Sequence, residues 1–334
     1  MAQIIVQPLL SLCIPIYNRL SYLERQLARM LEDKDLFEEQ IQLIISDNCS
    51  TDDLRTCCEK YQKQGLRLHY HRQEKNIGPE SNFDWCFHHA DGQYVWLLGS
   101  DDIPVAGMLR KLIEALCDSD YGLVHLSISR QSQKLRVYHK DDTLLADINV
   151  WITFISSNII KADIVKDYNL SSYVGSYMIH VPAYLNACLT NEDNALIYLG
   201  QLFEKDSDAS NNGGYNLFEV FVENLFGMYQ QFIDKGMLSQ KAFELIKERE
   251  YKTWLVGFVV DLLILKRARR KNFKLDNAWG ILHKHYGGRK YFYYSTFLHL
   301  CKALVMPFSR PVYHLLKRIS AYSIPLIVGY KVGI

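Results

Sequence analysis

Tyr94-Val-Trp-Leu-Leu-Gly-Ser-Asp-Asp102 runs five apolar residues straight into a glycine, a serine and two carboxylates. A short, continuous apolar run is the mark of a strand buried on both faces, as in parallel sheets. The switch to Gly99-Ser-Asp-Asp102 puts polar residues at the carboxyl end of that strand, where ligands bind in open α/β sheets. Two adjacent carboxylates repel each other and make poor core residues, but beside a divalent cation they make sense. Hard oxygen ligands suit Mg²⁺ or Mn²⁺, with a bound phosphate sharing the ion. The plainer use of the same acids is to cap the helix predicted over Gly107–Leu116.

The same pattern recurs outward from this stretch. Leu9–Ile16 reads as a buried strand and ends in Pro15-Ile-Tyr-Asn-Arg19. Ile41–Ser46 is a second, ending at Asp47-Asn48; Leu66–His71 and Leu123–Ser129 are further strands. Between them the apolar spacing predicts helices over Ser21–Leu31, from a Ser50-x-x-Asp53 capping box to about Gln64, and over Glu80–Ala90 after the turn Asn76-Ile-Gly-Pro79. Strand and helix in alternation, with short connections, predict an α/β fold with a parallel sheet covered by helices on both faces. Polar clusters at three strand ends then mark one crevice. There, the Tyr17 ring can stack on a base, Arg19 can contact phosphate, Asp47 can accept from a base or ribose, and Gly78 lets backbone approach a ligand. Taken singly, each motif has a plainer reading as a helix cap or an ordinary turn.

Beyond Arg130 the pattern loosens. Lys134–Lys140 reads as an edge strand, Phe154–Lys161 as Ser156-Ser157-Asn158 followed by apolar residues, and Tyr177–Leu189 as a helix. Ser207–Gly214 is a loop, and Asn216–Phe232 and Ser239–Lys266 carry helical apolar stripes.

The 334 residues are 49% hydrophobic and 22% charged, which sets aside disordered, collagenous and coiled-coil chains. The net charge of +1 hides a split. Arg249–Ile334 carries 16 Lys+Arg against 3 Asp+Glu, a balance of +13, so the preceding residues stand at −12. In the basic region Lys266-Arg-Ala-Arg-Arg-Lys271, Trp279, Tyr291–Tyr294, Phe297 and Tyr313 interleave cations and aromatics, and Leu300–Val305 and Tyr313–Ile319 read as amphipathic. Such a face suits an anionic membrane surface. No recognised nucleic-acid module accompanies it. The eight cysteines contain no Cys-x-x-Cys pair, which removes zinc-ribbon and thioredoxin readings. No stretch reaches the ~18 apolar residues of a spanning helix, and Met1–Leu10 does not read as a signal peptide. The expected location is cytoplasmic, peripheral at the inner face of the cell membrane.

The order Pro-x-Tyr-Asn-Arg, Asp-Asn-x-Ser-Thr-Asp, Asn-x-Gly and Trp-Leu-Leu-Gly-Ser-Asp-Asp across residues 9–130 resembles the inverting family-two glycosyltransferases of the GT-A fold. The Gly-Ser-Asp-Asp turn and Tyr173-Val-Gly-Ser-Tyr-Met-Ile-His180 resemble, more narrowly, the abequosyltransferase-type enzymes of bacterial O-antigen and surface-polysaccharide synthesis. The resemblance implies a nucleotide-sugar donor, Mn²⁺ or Mg²⁺, and a lipid-linked saccharide acceptor. It implies that Pro15, Tyr17 and Arg19 line the nucleotide pocket, that Asp47 contacts the base, and that Asn76, Gly78 and Asn82 lie along the nucleotide or donor sugar. Asp101 matches the last acid of the Asp-x-Asp signature and implies a metal ligand; Gly99 stands where the signature has its first Asp. The general base is sought at His180, near the start of the predicted helix, or at Asp102, with Glu192-Asp193 read as a loop or cap. The implied organisation is a nucleotide-sugar-binding half over residues 1–130, an acceptor-binding half over 131–214, and a helical, basic region over 215–334. Two rival classes stand beside the enzyme. One is a catalytically silent nucleotide-sugar- or polysaccharide-binding module on the same fold. The other is a nucleotidyltransferase, whose usual Gly-rich loop with a Lys is missing from Leu9–Arg19.

Overall fold

A computed structural model describes residues 7–129, 131, 133–139, 143–166, 168–205, 214–267 and 272–305. The chain divides into two compact units. The first is Met1–Leu144 with Trp151–Ala209 and Asp234–Met237; the second is Leu145–Val150, Ser210–Ile233 and Leu238–Ile334.

The first unit is built on one sheet of eight strands: β1 Leu10–Ile16, β2 Ile41–Asp47, β3 His69–Arg72, β4 Tyr94–Leu97, β5 Tyr121–Leu126, β6 Leu135–His139, β7 Asn158–Lys161 and β8 Asp193–Ile197. Their spatial order is β3-β2-β1-β4-β7-β5-β8-β6. The four strands on the β3 side run parallel, as does the β5/β8 pair. β7 lies antiparallel between β4 and β5, and β6 antiparallel on β8. β1 is buried at every residue, as a strand with helices on both faces must be.

The helices are α1 Leu20–Leu31, α2 Leu36–Glu39, α3 Leu54–Lys63, α4 Pro79–His88, α5 Met108–Leu116, α6 Thr143–Ile148, α7 Ala162–Lys166 and α8 His180–Thr190. α1 buries Leu23, Gln26, Leu27 and Met30, the i, i+3, i+4, i+7 stripe of an amphipathic helix. Each such leucine taken fully out of water contributes about 1.5–3 kcal/mol. These side chains share one core with Leu10, Leu12 and Ile14 of β1 and with Trp96 of β4.

Local structure differs from the sequence expectation in several places. β3 begins at His69 where a strand was read from Leu66, β5 ends at Leu126 where it was read to Ser129, and α8 begins at His180 where the helix was read from Tyr177. α3 starts at Leu54 with Asp53 as its cap, accepting from Thr56 N at 3.1 Å; Ser50 turns its hydroxyl instead to Asn18 N, 2.7 Å away. The Phe154–Lys161 segment is a helical turn, Ile155–Ser157, that feeds β7. Asp193 opens β8, and its carboxylate meets His139 of β6 at 2.6 Å. Asp193 is thus a strand start where a loop or cap was read, and Glu192 stands in the bend before it.

In the second unit, α9 Leu225–Asp234, α10 Gln240–Glu250, α11 Val256–Phe258, α12 Ala278–Tyr286 and α13 Lys290–Val305 are joined in part by π-helical stretches at Glu219–Asn224, Tyr251–Leu255 and Val259–Ile264. Its core is aromatic: the Tyr251 ring packs 5.0 Å from Tyr286 and 4.9 Å from Phe292. α13 buries Phe292 but exposes Tyr293, Tyr294, Phe297, Leu298 and Leu304. Residues 268–271 of the basic run, Ser207–Gly213 of the predicted loop and Tyr313–Ile319 lie outside the described residues. Among the described residues no helix is long and apolar enough to cross a membrane.

Candidate active site

The loop leaving β1 bends through two consecutive left-handed residues, Asn18 (φ 58°) and Arg19 (φ 64°). Asparagine tolerates this conformation; arginine does so at a cost and only when held. The loop after β2 holds it. Asn18 Oδ1 accepts from Thr51 N at 2.9 Å and Thr51 Oγ1 at 3.0 Å, and Leu20 N donates to Asp52 Oδ2 at 3.0 Å. The Asp-Asn-x-Ser-Thr-Asp motif therefore braces the Pro-x-Tyr-Asn-Arg loop. Pro15 itself is buried in β1 opposite Ser46, while Tyr17 stands 45% exposed at the rim.

Asp47 is fully buried at the end of β2. Its Oδ1 accepts from Ser50 N at 2.8 Å, and its Oδ2 accepts from the Tyr70 hydroxyl at 2.6 Å and from Arg72 Nη1 at 3.4 Å. Burial and the neighbouring carboxylate push the Tyr70 phenol well up, and the Arg72 guanidinium is held protonated. Tyr70, Arg72, Arg55 and Cys49 line an open pocket against this carboxylate, with the Arg55 guanidinium 5.0 Å over the Tyr70 ring.

Asn48 ties this loop to the next: its Nδ2 donates to Asn76 Oδ1 at 3.1 Å, and its Oδ1 accepts from Ile77 N at 2.9 Å. Gly78, at φ 83°, caps α4 in a conformation that a side chain would strain. Asn82 faces inward. It is buried, donates to Ser46 O at 2.9 Å and accepts from Ser46 Oγ at 2.7 Å, locking α4 to β2.

At the end of β4, Arg19 Nη1 reaches Asp101 Oδ2 at 3.0 Å and donates to Ser100 Oγ at 3.1 Å. Gln26 of α1, buried among leucines, donates to the carbonyls of Gly99 (2.9 Å) and Asp102 (2.8 Å) and so fixes the turn. Asp102 folds back over Gly99. A Cβ at position 99 would lie 2.6 Å from Asp102 Oδ2 and 3.1 Å from Ser156 Oγ. The fully buried Ser156 hydroxyl accepts from Gly99 N at 2.8 Å, which leaves its proton to donate to Asp102 Oδ2 at 2.5 Å. Burial raises the Asp102 carboxyl to about 6, a shift that the Ser156 bond opposes and the neighbouring Asp101 charge reinforces.

His180 lies elsewhere. It is 4% exposed at the start of α8, its Nε2 bonded to Thr153 O at 2.9 Å and its ring packed edge-on against Phe83 and Tyr184. Burial lowers its pKa to about 4. An imidazole so placed is a packing group and does not meet the sequence expectation of a base near pKa 6.5. The structure thus gathers Arg19, Ser100, Asp101 and Asp102, sets Tyr17, Asn76 and Gly78 on adjoining loops, and leaves Pro15, Asp47, Asn82 and His180 in the interior. Sequence reading missed Gln26, Tyr70, Arg72 and Ser156. Gln26 alone left a signal, a polar residue on the apolar stripe of a helix.

The carboxylates available for a cation are Asp101 and Asp102; no group of three or more His, Cys, Asp or Glu side chains with ligand geometry occurs among the described residues. That fits a Mg²⁺- or Mn²⁺-type ion of the kind held by one or two carboxylates while substrate phosphates and water complete the shell, and does not fit an all-protein cage.

A mostly parallel sheet with polar loops at its strand ends and a Gly-Ser-Asp-Asp turn is the GT-A glycosyltransferase architecture. Solved structures agree with it: Staphylococcus aureus TarS residues 1–349 in complex with UDP-GlcNAc superposes with a TM-score of 0.60 at 17% identity, over 92% of this chain and 87% of that one. The mannosyltransferase PcManGT of Pyrobaculum calidifontis, solved with GDP-Man and Mn²⁺, gives 0.54 at 14% identity, over 95% and 85%. The chain belongs to Glycosyl transferase family 2, which matches residues 11–179. Among curated proteins it is similar to abequosyltransferase RfbV of Salmonella typhimurium (38% identity over 95 residues, 28% of each chain). It is also similar to the putative teichuronic acid biosynthesis glycosyltransferase TuaG of Bacillus subtilis (32% over 112 residues, 34% of this chain and 43% of that). The match spans less than half the length of these relatives.

Proposed function

We propose that this chain is an inverting glycosyltransferase that moves a sugar from a nucleotide-sugar donor to a lipid-linked glycan during bacterial surface-polysaccharide assembly. The observation that carries the reading is the Arg19–Asp101 contact at 3.0 Å beside the Gly99–Asp102 turn, with the pocket lined by Cys49, Arg55, Tyr70 and Arg72 nearby. Tyr17 and the Tyr70–Arg72 wall, held from beneath by Asp47, receive the nucleoside, and Asn76 and Gly78 line the donor. Arg19 exchanges its contact with Asp101 for a donor phosphate oxygen. Asp101 would hold the divalent cation, which when bound neutralises the leaving diphosphate as a Lewis acid. Asp102 takes the acceptor hydroxyl's proton. Ser156 occupies one of its oxygens, and burial keeps its carboxyl more basic than an ordinary aspartate.

Residues 131–214 supply the acceptor side. The aromatic face of α13, within the basic region, supports a peripheral station on an anionic membrane, where a lipid-linked acceptor resides. Gly99, which removes one signature acid, supports the second reading, a silent nucleotide-sugar-binding module on the same fold. Two measurements separate them. A panel of nucleotide sugars with Mn²⁺ or Mg²⁺ should contain a donor that raises the melting temperature, by mass action. Turnover of that donor should then collapse in Asp101→Ala. Stabilisation without turnover in the wild type would favour the silent module, and a panel with no stabiliser would overturn both.

A further inference from the structure

Gln26 is the one polar residue on the buried stripe of α1, set among Leu23, Leu27 and Met30 and itself 0% exposed. Its amide nitrogen uses both hydrogens on one turn, donating to Gly99 O at 2.9 Å and to Asp102 O at 2.8 Å. Those are the first and last residues of a four-residue β-turn, closed by Asp102 N donating to Gly99 O at 3.0 Å. One side chain thus spans both ends of the Gly-Ser-Asp-Asp segment. The other end of the same amide, Oε1, is buried and has no hydrogen-bond partner among the described residues. Turning the amide over would set that oxygen against two carbonyl oxygens, so the nitrogen must face the turn. An apolar side chain of the same length would fill the stripe without burying an orphaned acceptor, which costs free energy. Packing of α1 therefore does not account for a glutamine here, whereas the turn does.

The other holds on the turn are of a different kind. Arg19 grips its two central residues, Ser100 at 3.1 Å and Asp101 at 3.0 Å, and releases them when it moves to a donor phosphate. Ser156 holds Gly99 N and the Asp102 carboxylate from the far side. Gln26 then ties the carbonyls at both ends to α1, and α1 is a firm base. Arg25 and Arg29 share the Glu204 carboxylate at 3.1 and 2.9 Å, and Glu204 N donates to Ile103 O at 2.8 Å, directly past the turn. Arg19 is the N-cap residue of α1, and Gln26 stands about two helical turns further along. One helix therefore carries both the cation that lets go and the amide that does not.

Groups that orient a metal's ligands set its affinity without touching it. We propose that Gln26 is a positioning residue for the divalent cation: by pinning both ends of the Gly99–Asp102 turn it keeps Asp101 in place to take the ion once Arg19 has left. The assignment rests on the glycosyltransferase reading above.

The test is Mn²⁺ binding to the full chain, followed by electron paramagnetic resonance with UDP, GDP, CDP or dTDP as probes, in wild type, Gln26→Met and Leu27→Ala. The wild type holds Mn²⁺ more tightly than at least one of these diphosphates does alone. Gln26→Met, which matches the glutamine in length and removes the orphaned acceptor, stays folded and weakens Mn²⁺ binding by about 10- to 100-fold. Leu27→Ala, which cuts packing beside Gln26 and leaves its hydrogen bonds, lowers the melting temperature further yet keeps the wild-type Mn²⁺ affinity. Gln26→Leu takes the place of Gln26→Met if the latter does not fold. Failure of both to fold would make Gln26 a folding residue and overturn the assignment. So would wild-type Mn²⁺ affinity in either folded variant, or a loss in Leu27→Ala as large as theirs. Thermal stabilisation of the wild type by nucleotide sugars is measured in parallel. If it is present while Mn²⁺ does not bind, the positioning role falls and the glycosyltransferase reading stands; its absence across the panel removes the reading itself.

Discussion

Gly99 shows how a single residue sets the chemistry around it. Read along the chain, it is a defect in an acid signature. In the structure, the missing side chain is the space that Asp102 occupies, with Oδ2 2.6 Å from where a Cβ would sit. Gly99→Asp therefore does not restore a metal ligand. It displaces Asp102 and breaks the Ser156 contacts, and donor turnover should fall at least tenfold with a lower melting temperature. A rise in turnover would refute this account. Ser156→Ala removes a hydrogen bond that favours the charged form of Asp102, so the carboxyl rises further and the acid limb of the pH–turnover profile should move to higher pH; an unmoved limb would refute the assignment of Asp102 as base. Neither effect was legible in the sequence, because Ser156 stands 54 residues beyond Asp102 and nothing in local spacing joins them. Arg19, Asp47 and Asp101, by contrast, were legible because Asp47 ends a buried strand and the other two stand in the short polar loops that follow buried strands.

Two buried histidines give a pH prediction. Burial lowers His125 and His180 to about 4, whereas the unfolded chain binds those protons near 6.5. The contribution of each neutral imidazole to stability is present above about pH 6.5 and drains away as pH falls toward 4, by up to about 3 kcal/mol per histidine. Urea midpoints taken between pH 7 and 4.5 should fall less steeply in His125→Gln than in the wild type. Parallel slopes would show that His125 is not buried neutral.

For the elements, caps and register decide what periodicity does not. The apolar runs located β1, β2 and β4 to within a residue because burial on both faces leaves little else to place there. The start of α3 was misread because Ser50 and Asp53 are both good caps, and the choice between them depended on Asn18 offering Ser50 another partner. Asp53→Ala should accordingly cost about 1 kcal/mol, visible as a lower urea midpoint. Asn82→Ala removes the acceptor of the Ser46 hydroxyl proton and a donor to the Ser46 carbonyl in the interior, and should cost about 1–3 kcal/mol. A neutral result would mean that α4 and β2 are held by apolar packing alone. β7 was the element hardest to foresee, since an antiparallel strand inserted between β4 and β5 breaks the alternation from which the parallel sheet was inferred.

Across the whole molecule, the near-zero net charge conceals two regions of opposite sign. The aromatic face of α13 lies in the basic one. Replacing Tyr294 and Phe297 together with serine should lower co-sedimentation of the full chain with vesicles containing phosphatidylglycerol at least several-fold. It should leave nucleotide-sugar stabilisation unchanged. Unaltered sedimentation would return that face to a role other than membrane contact.

The insertion of β7 also has a consequence for how the protein is made. β1 to β4 can pair as soon as they leave the ribosome, yet the strand that covers β4, and the serine that anchors Asp102, belong to a segment ending only at Lys161. At bacterial elongation rates of about 5–20 residues per second, the nascent sheet keeps an open edge at β4 for roughly 3–13 s. An open edge is an invitation to pair with a neighbouring chain. For those seconds the Gly99–Asp102 turn and the aggregation hazard share one piece of polypeptide, and the arrival of the segment through β7 resolves both at once.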